Sequence, residues 1–240
     1  MKNLTTLLLL LILSFGAYAS EGVKLQDADV DVGDKASLLR GAKHFVTYCL
    51  GCHSMKHIRY LRIALDTHAD EKEVLKDIAP FGASIYDQLH SAMNKHDAEK
   101  WFGTQPPDLS LVARSRGADW IYSYLKSYYS DTNRPFGVNN LVFEDTAMPN
   151  PLWQLQGEQH AVTRKTIYGD EIDLELDKPG SLSEKEFDQM VNDLVNFLVY
   201  VGEPSQLERK SMGKYVLIFL FAFLVIAYLL KKEYWKDVDH

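Results

Sequence analysis

The chain has 240 residues, 46% hydrophobic and 25% charged, with a formal net charge of −7. That is an ordinary globular composition, long enough for one substantial core. The acidic balance argues against a nucleic-acid partner and for a cationic one.

Residues 1–19 carry Lys2, an apolar run from Leu7 to Leu13, and then Ala17-Tyr18-Ala19. A charged start, a short apolar stretch and a small-x-small site predict a secretory signal cleaved after Ala19. The apolar run is too short to span a bilayer comfortably. No Arg precedes Arg40, so a mitochondrial presequence does not fit and a bacterial exported chain does. Lys2 is the only charged residue in 1–19, so its loss takes the net charge from −7 to −8.

The spacing of Leu38, Ala42, Phe45 and Cys49 predicts a helix over 34–48, with Arg40 and Lys43 on its other face. It leads straight into Cys49-Leu50-Gly51-Cys52-His53. Further helical stretches are expected near 84–100 and 119–129, separated by loops rich in Pro, Gly and Asn. Strand structure is expected only as short β around 160–172. Ser183-Glu184-Lys185-Glu186 has the form of a capping box, and Phe187, Met190, Val191, Leu194, Phe197 and Leu198 make the apolar stripe that follows. That helix should end at Gly202-Glu203-Pro204. Residues 212–230 are nearly all apolar, the length a bilayer core requires. Lys residues flank both ends, so the positive-inside rule does not orient the span; export of the N-terminal part does. The expected organisation is a signal over 1–19, a periplasmic domain over 20–210, an anchor over 211–231 and a cytoplasmic tail over 232–240. Counted from Lys231, the tail has three Lys against Glu233, Asp237 and Asp239 and is charge-neutral, which leaves the whole −8 on the exported side. The fold class is mostly α with long irregular loops, which in a compact domain usually serve a function or wrap a ligand.

Cys49 and Cys52 are the only cysteines. A thioredoxin-like disulfide would need a βαβ setting and has no use for His53. A structural zinc site would need four ligands, and no second Cys pair exists. Cys-x-x-Cys-His is the signature of c-type haem attachment: two thiols on one turn reach both vinyl groups of a haem, and His53 becomes the proximal iron ligand. An electron-transfer haem takes a sixth ligand, commonly Met. Met1 leaves with the signal, Met212 opens the anchor, Met55 is too close to His53, and Met190 belongs to an apolar stripe. Of Met93 and Met148, the latter sits in a loop stiffened by Pro149 and Pro151 and is the better candidate. Arg114 and Arg116 follow Pro106-Pro107-Asp108-Leu109-Ser110, and a guanidinium suits a haem propionate. Spacing alone does not choose between that role and solvated charge for either. His44 and His57 flank the motif without a clear role.

These stretches resemble the cytochrome c1 family, the haem subunit of the quinol:cytochrome c oxidoreductase (bc1) complex. The likeness rests on Arg40-Gly41-Ala42 through Ser54, the Pro-Pro-Asp-Leu-Ser run with Arg114 and Arg116, Ala147-Met148-Pro149, and Tyr200 through Pro204. It implies a class I cytochrome c-like domain with loop insertions and one C-terminal transmembrane helix. It also implies one covalent haem c, with Met148 as sixth ligand and with Arg116 and Pro107 against the haem. The implied partners are cytochrome b, a Rieske iron–sulfur protein as donor and a basic cytochrome c as acceptor, in a dimeric complex. Asn150 interrupts the proline run usual after the axial Met, and the loop should survive because Pro149 and Pro151 remain. A subunit of this kind does no bond-breaking chemistry itself. The competing functions are another anchored monohaem cytochrome c, feeding an oxidase or serving a dehydrogenase, and an anchored thiol–disulfide oxidoreductase.

Overall fold

The structure is a computed structural model that describes residues 23–80, 82–166 and 169–237. The expected signal lies outside the described residues. Helix α1 spans Lys35–Tyr48, and the Asp34 side chain caps it by accepting from the Ala36 and Ser37 N–H groups. Then come strand β1 (Met55–Arg59) and helices α2 (Tyr60–Thr67) and α3 (Glu71–Asp77), followed by strand β2 (Gln88–Leu89). Helices α4 (Lys95–Phe102), α5 (Val112–Arg116) and α6 (Ala118–Lys126) follow, with strands β3 (Tyr128–Ser130) and β4 (Val138–Asn140) after them. A short helix α7 (Trp153–Gln156) precedes strands β5 (Gly157–Thr166) and β6 (Gly169–Pro179). Helices α8 (Glu184–Gly202) and α9 (Gln206–Tyr234) close the chain.

The core is organised on the crossing of α1 and α8. Phe45 and Phe197 are fully buried there, ring centroids 6.1 Å apart, each burial being worth on the order of 2 kcal/mol. Arg40 grips the buried Asp193 with two hydrogen bonds of 2.6 and 2.8 Å. Beside it, Gly41 lies so close to α8 that a Cβ would fall 2.0 Å from the Asp193 carbonyl oxygen. Asn196 is also buried, and its Nδ2 donates to the Asp31 carbonyl and to Ser37 Oγ. The Ser183 capping box is complete, its hydroxyl and the Glu186 carboxylate serving each other's backbone.

Three expectations are corrected. Only Lys95–Phe102 of the 84–100 stretch is helical. Ser84, Asp87 and Ser91 bind nearby backbone N–H groups instead, and Asn94 supplies the cap that starts α4. The 119–129 stretch divides: α6 ends at Lys126, where the Ser127 hydroxyl turns back to the Ser123 carbonyl, and Tyr128 begins β3. Strand structure is more extensive than expected, with three antiparallel pairs among the described residues. The longest pairs Gly157 with Pro179 through to Thr166 with Gly169. Its faces are largely exposed, so no buried alternation marks it in the sequence.

Helix α9 is 29 residues long, about 43 Å at the α-helical rise, and none of its residues is buried among the described residues. It is long and apolar enough to cross a membrane. At its base the Glu203 carboxylate accepts from Arg114 at 2.8 Å and from Arg209 at 3.0 Å, joining α5 to the foot of α9.

Candidate functional site

Helix α1 ends on Cys49, whose carbonyl oxygen accepts from the Cys52 and His53 N–H groups at 3.0 and 2.8 Å. This tight turn carries both cysteines and His53 into the wall of one cavity of ≈ 360 Å³. The loop Pro106-Pro107 with Leu109 forms a second wall. Trp120, Ile121, Tyr124 and Leu125 of α6, Leu194 and Leu198 of α8, and the segment Thr146–Pro149 complete it. Sequence stretches a hundred residues apart thus meet around a mostly apolar space. Cys49, Cys52, His53, Pro107, Arg116 and Met148 all line it.

His53 is buried, and its Nδ1 lies 2.8 Å from the Pro107 carbonyl oxygen. A carbonyl only accepts, so Nδ1 carries the hydrogen and Nε2 keeps its lone pair for a metal. Burial lowers the pKa of His53; the Pro107 bond and the nearby Asp108 carboxylate oppose this without reversing it. The ring is therefore neutral near pH 7, as a metal ligand must be.

The Pro-Pro-Asp-Leu-Ser loop is pinned by its polar members. Asp108 accepts from the Lys56 N–H and Ser110 Oγ accepts from the His57 N–H, both on β1. The Leu109 N–H donates to the Ser54 carbonyl at 2.9 Å. Asp108 and Ser110 thus hold the carbonyl that orients His53, a role that the motif's order alone did not reveal.

The two arginines part ways. Arg116 lines the cavity with its guanidinium 4.9 Å from the Trp120 ring centroid and forms no ion pair among the described residues. Arg114 does not line the cavity and pairs with Glu203. Among the remaining methionines, Met55 and Met190 are buried in the core, Met212 is exposed on α9, and Met93 lies outside the cavity wall. His44 and His57 do not reach the cavity either. Asn150 accepts from the Leu152 N–H at 2.9 Å, a side-chain turn that leads into α7 and keeps the loop after Met148 ordered.

The two competing uses of the cysteines fare poorly. Cys49 and Cys52 are not joined in a disulfide. Burial pushes the Cys49 thiol up to about 12 and raises Cys52 as well. A thiol–disulfide catalyst needs the opposite shift. Among the described residues no three His, Cys, Asp or Glu side chains cluster to hold an ion such as zinc. A larger cleft of ≈ 1200 Å³ between the β5–β6 hairpin and the body is lined by Lys126, Asp188, Gln156 and Gln159 and contains none of the candidate residues. The smaller cavity fits a haem by its donors: two thiols on one turn, an imidazole with a free Nε2, a thioether sulfur, and a guanidinium at an otherwise apolar wall.

The family model described as the cytochrome C1 family matches residues 27–238. The chain is 47% identical to cytochrome c1 of Allochromatium vinosum, covering 99% of this chain and 100% of that protein. It is 45% identical to a Nitrosomonas europaea protein named ammonia monooxygenase gamma subunit, over 97% of both. Cytochrome c1 of Rhodospirillum rubrum is 30% identical over 86% of this chain and 84% of its own length. The chain belongs to the cytochrome c1 family and carries one covalently bound haem c.

Proposed function

We propose that this chain is the haem subunit of a quinol:cytochrome c oxidoreductase, taking one electron at a time from a Rieske iron–sulfur protein and passing it to a basic cytochrome c. It works beside cytochrome b in a dimeric bc1 complex. The observation that carries the reading is the single cavity lined by Cys49, Cys52, His53 and Met148. Cys49 and Cys52 would hold the haem through thioethers, His53 Nε2 and the Met148 sulfur would ligate its iron, and Pro107 orients His53 through its carbonyl. Arg116 would meet a propionate; Arg114, held by Glu203, supports the loop rather than the haem. When bound, the haem supplies reversible one-electron chemistry between ferric and ferrous iron. The chain's own contribution is to exclude water with the apolar wall, fix the His53 and Met148 side chains and hold the Arg116 charge where a propionate would need it.

Residues 1–19 act as a cleaved export signal, the domain over 20–210 faces the periplasm, the span over 211–231 anchors it in the bacterial inner membrane, and the tail over 232–240 is cytoplasmic. A pyridine haemochrome spectrum of the purified chain, with co-purification of a cytochrome b and a Rieske protein, tests the reading. Haem without those two partners would redirect it to another anchored monohaem cytochrome. The name borne by the Nitrosomonas europaea relative supports a second reading, an electron-transfer subunit accompanying an oxygenase. The same co-purification separates the two.

A further inference from the structure

A thioether is a weak ligand for ferric iron, and a Met side chain has three rotatable bonds. Where its sulfur sits depends on how firmly the protein holds its backbone. Around Met148 that hold is specific. Its N–H faces Thr146 Oγ1 at 3.4 Å, and its carbonyl oxygen lies 3.3 Å from the Tyr128 hydroxyl. The Tyr128 and Tyr124 hydroxyls are 2.6 Å apart, and the Tyr124 hydroxyl is 2.9 Å from Thr146 Oγ1. An N–H can only donate and a carbonyl can only accept, while each hydroxyl does both. The Tyr128 hydroxyl donates toward both the Tyr124 hydroxyl and the Met148 carbonyl, Tyr124 and Thr146 share a hydrogen, and Thr146 Oγ1 accepts from the Met148 N–H, so the four groups close one ring of contacts. Such a closed chain of buried donors strengthens each of its bonds.

The platform beneath it is rigid. Tyr124 and Tyr128 are buried on α6 and at the start of β3, and their rings stack edge to face 5.4 Å apart. Buried Asn140 donates to the Tyr124 carbonyl at 2.7 Å and accepts from the Val142 and Phe143 N–H groups, tying the approach to Met148 to the same helix. Burial raises the pKa of both tyrosines, so their hydroxyls keep their protons at any physiological pH.

We propose that Tyr128 is a positioning residue whose hydroxyl closes this circuit with Tyr124 and Thr146 and so keeps the Met148 sulfur in place as an axial ligand. The proposal rests on the reading that Met148 is that ligand. The test uses the full-length chain purified in detergent, with imidazole as a competing ligand for the ferric iron.

In Tyr128→Phe, covalent haem content should match wild type while the sulfur-to-iron charge-transfer band weakens. Imidazole should bind roughly fivefold to thirtyfold more tightly, the size of one or two lost hydrogen bonds. Thr146→Val should do the same, and Thr146→Ser, which keeps the hydroxyl, should restore wild-type values. If Tyr128→Phe does not fold, the Thr146 pair decides. Wild-type band and imidazole affinity in both Tyr128→Phe and Thr146→Val would overturn the proposal, and so would equal shifts in Thr146→Val and Thr146→Ser. Persistence of the band in Met148→Leu would instead remove Met148 from the ligand set, and the proposal with it.

Discussion

Gly41 and Asp193 touch backbone to backbone: a Cβ on Gly41 would stand 2.0 Å from the Asp193 carbonyl oxygen and 2.7 Å from the Phe197 Cβ. Neither obstacle is the end of a flexible side chain, so α1 and α8 must separate to admit even a methyl group. Gly41→Ala should cost at least about 2 kcal/mol of stability, read as a lowered urea midpoint. An unchanged midpoint would show that the crossing yields more easily than its geometry implies.

Met148→Leu should leave the haem covalently attached, because Cys49 and Cys52 are untouched. The potential should drop by more than about 100 mV, a modest share of the roughly 0.8 V over which axial ligands set haem potentials. Reduction by a Rieske centre should then fail. Redox titration and stopped-flow reduction measure the two effects, and a wild-type potential would count against Met148.

The acidic domain that precedes α9 should steer a basic cytochrome c toward it. Between about 10 mM and 150 mM salt the screening length contracts from about 30 Å to about 8 Å, and the on-rate should fall more than about tenfold. A flat dependence in flash-photolysis or stopped-flow binding would remove electrostatic steering from the account.

Much of this was legible in the sequence because it is local. The Cys-x-x-Cys-His turn, the apolar period of α1 and the capping box of α8 are each written within one or two turns of chain. Met148 could be chosen because prolines stiffen the chain after it. What holds Met148 could not be read: Tyr128 is twenty residues away, and its hydroxyl looks like any other until α6 and β3 bring it to the Met148 carbonyl. Arg114 and Arg116 are separated only by which side of the short α5 faces the cavity. The β5–β6 hairpin exceeds the short β expected because exposed stretches such as Glu175-Leu176-Asp177-Lys178 bury no face to impose a period of two.

Asp193 should govern part of the acid stability. Burial works to raise its pKa, but the hydrogen bonds from Arg40, Ser37 and Gln189 and the Arg40 charge outweigh it, and the carboxylate ends below the usual range. A carboxylate depressed by folding stabilises the fold above its unfolded pKa, about 3.9, and that contribution disappears as the pH falls through the folded value. Asp193→Asn should cost about 1–2 kcal/mol at pH 7 and flatten the decline in stability below about pH 4. Urea midpoints between pH 2 and 7 measure it; parallel curves for variant and wild type would exclude this role.

Cys49 ends α1 and lines the cavity together with residues of α6, α8 and the Met148 loop. A haem joined to its sulfur would therefore fasten that helix to elements a hundred residues away in the chain. Loosening α1 would have to carry the cofactor with it, so the bond that retains the haem would also brace the fold.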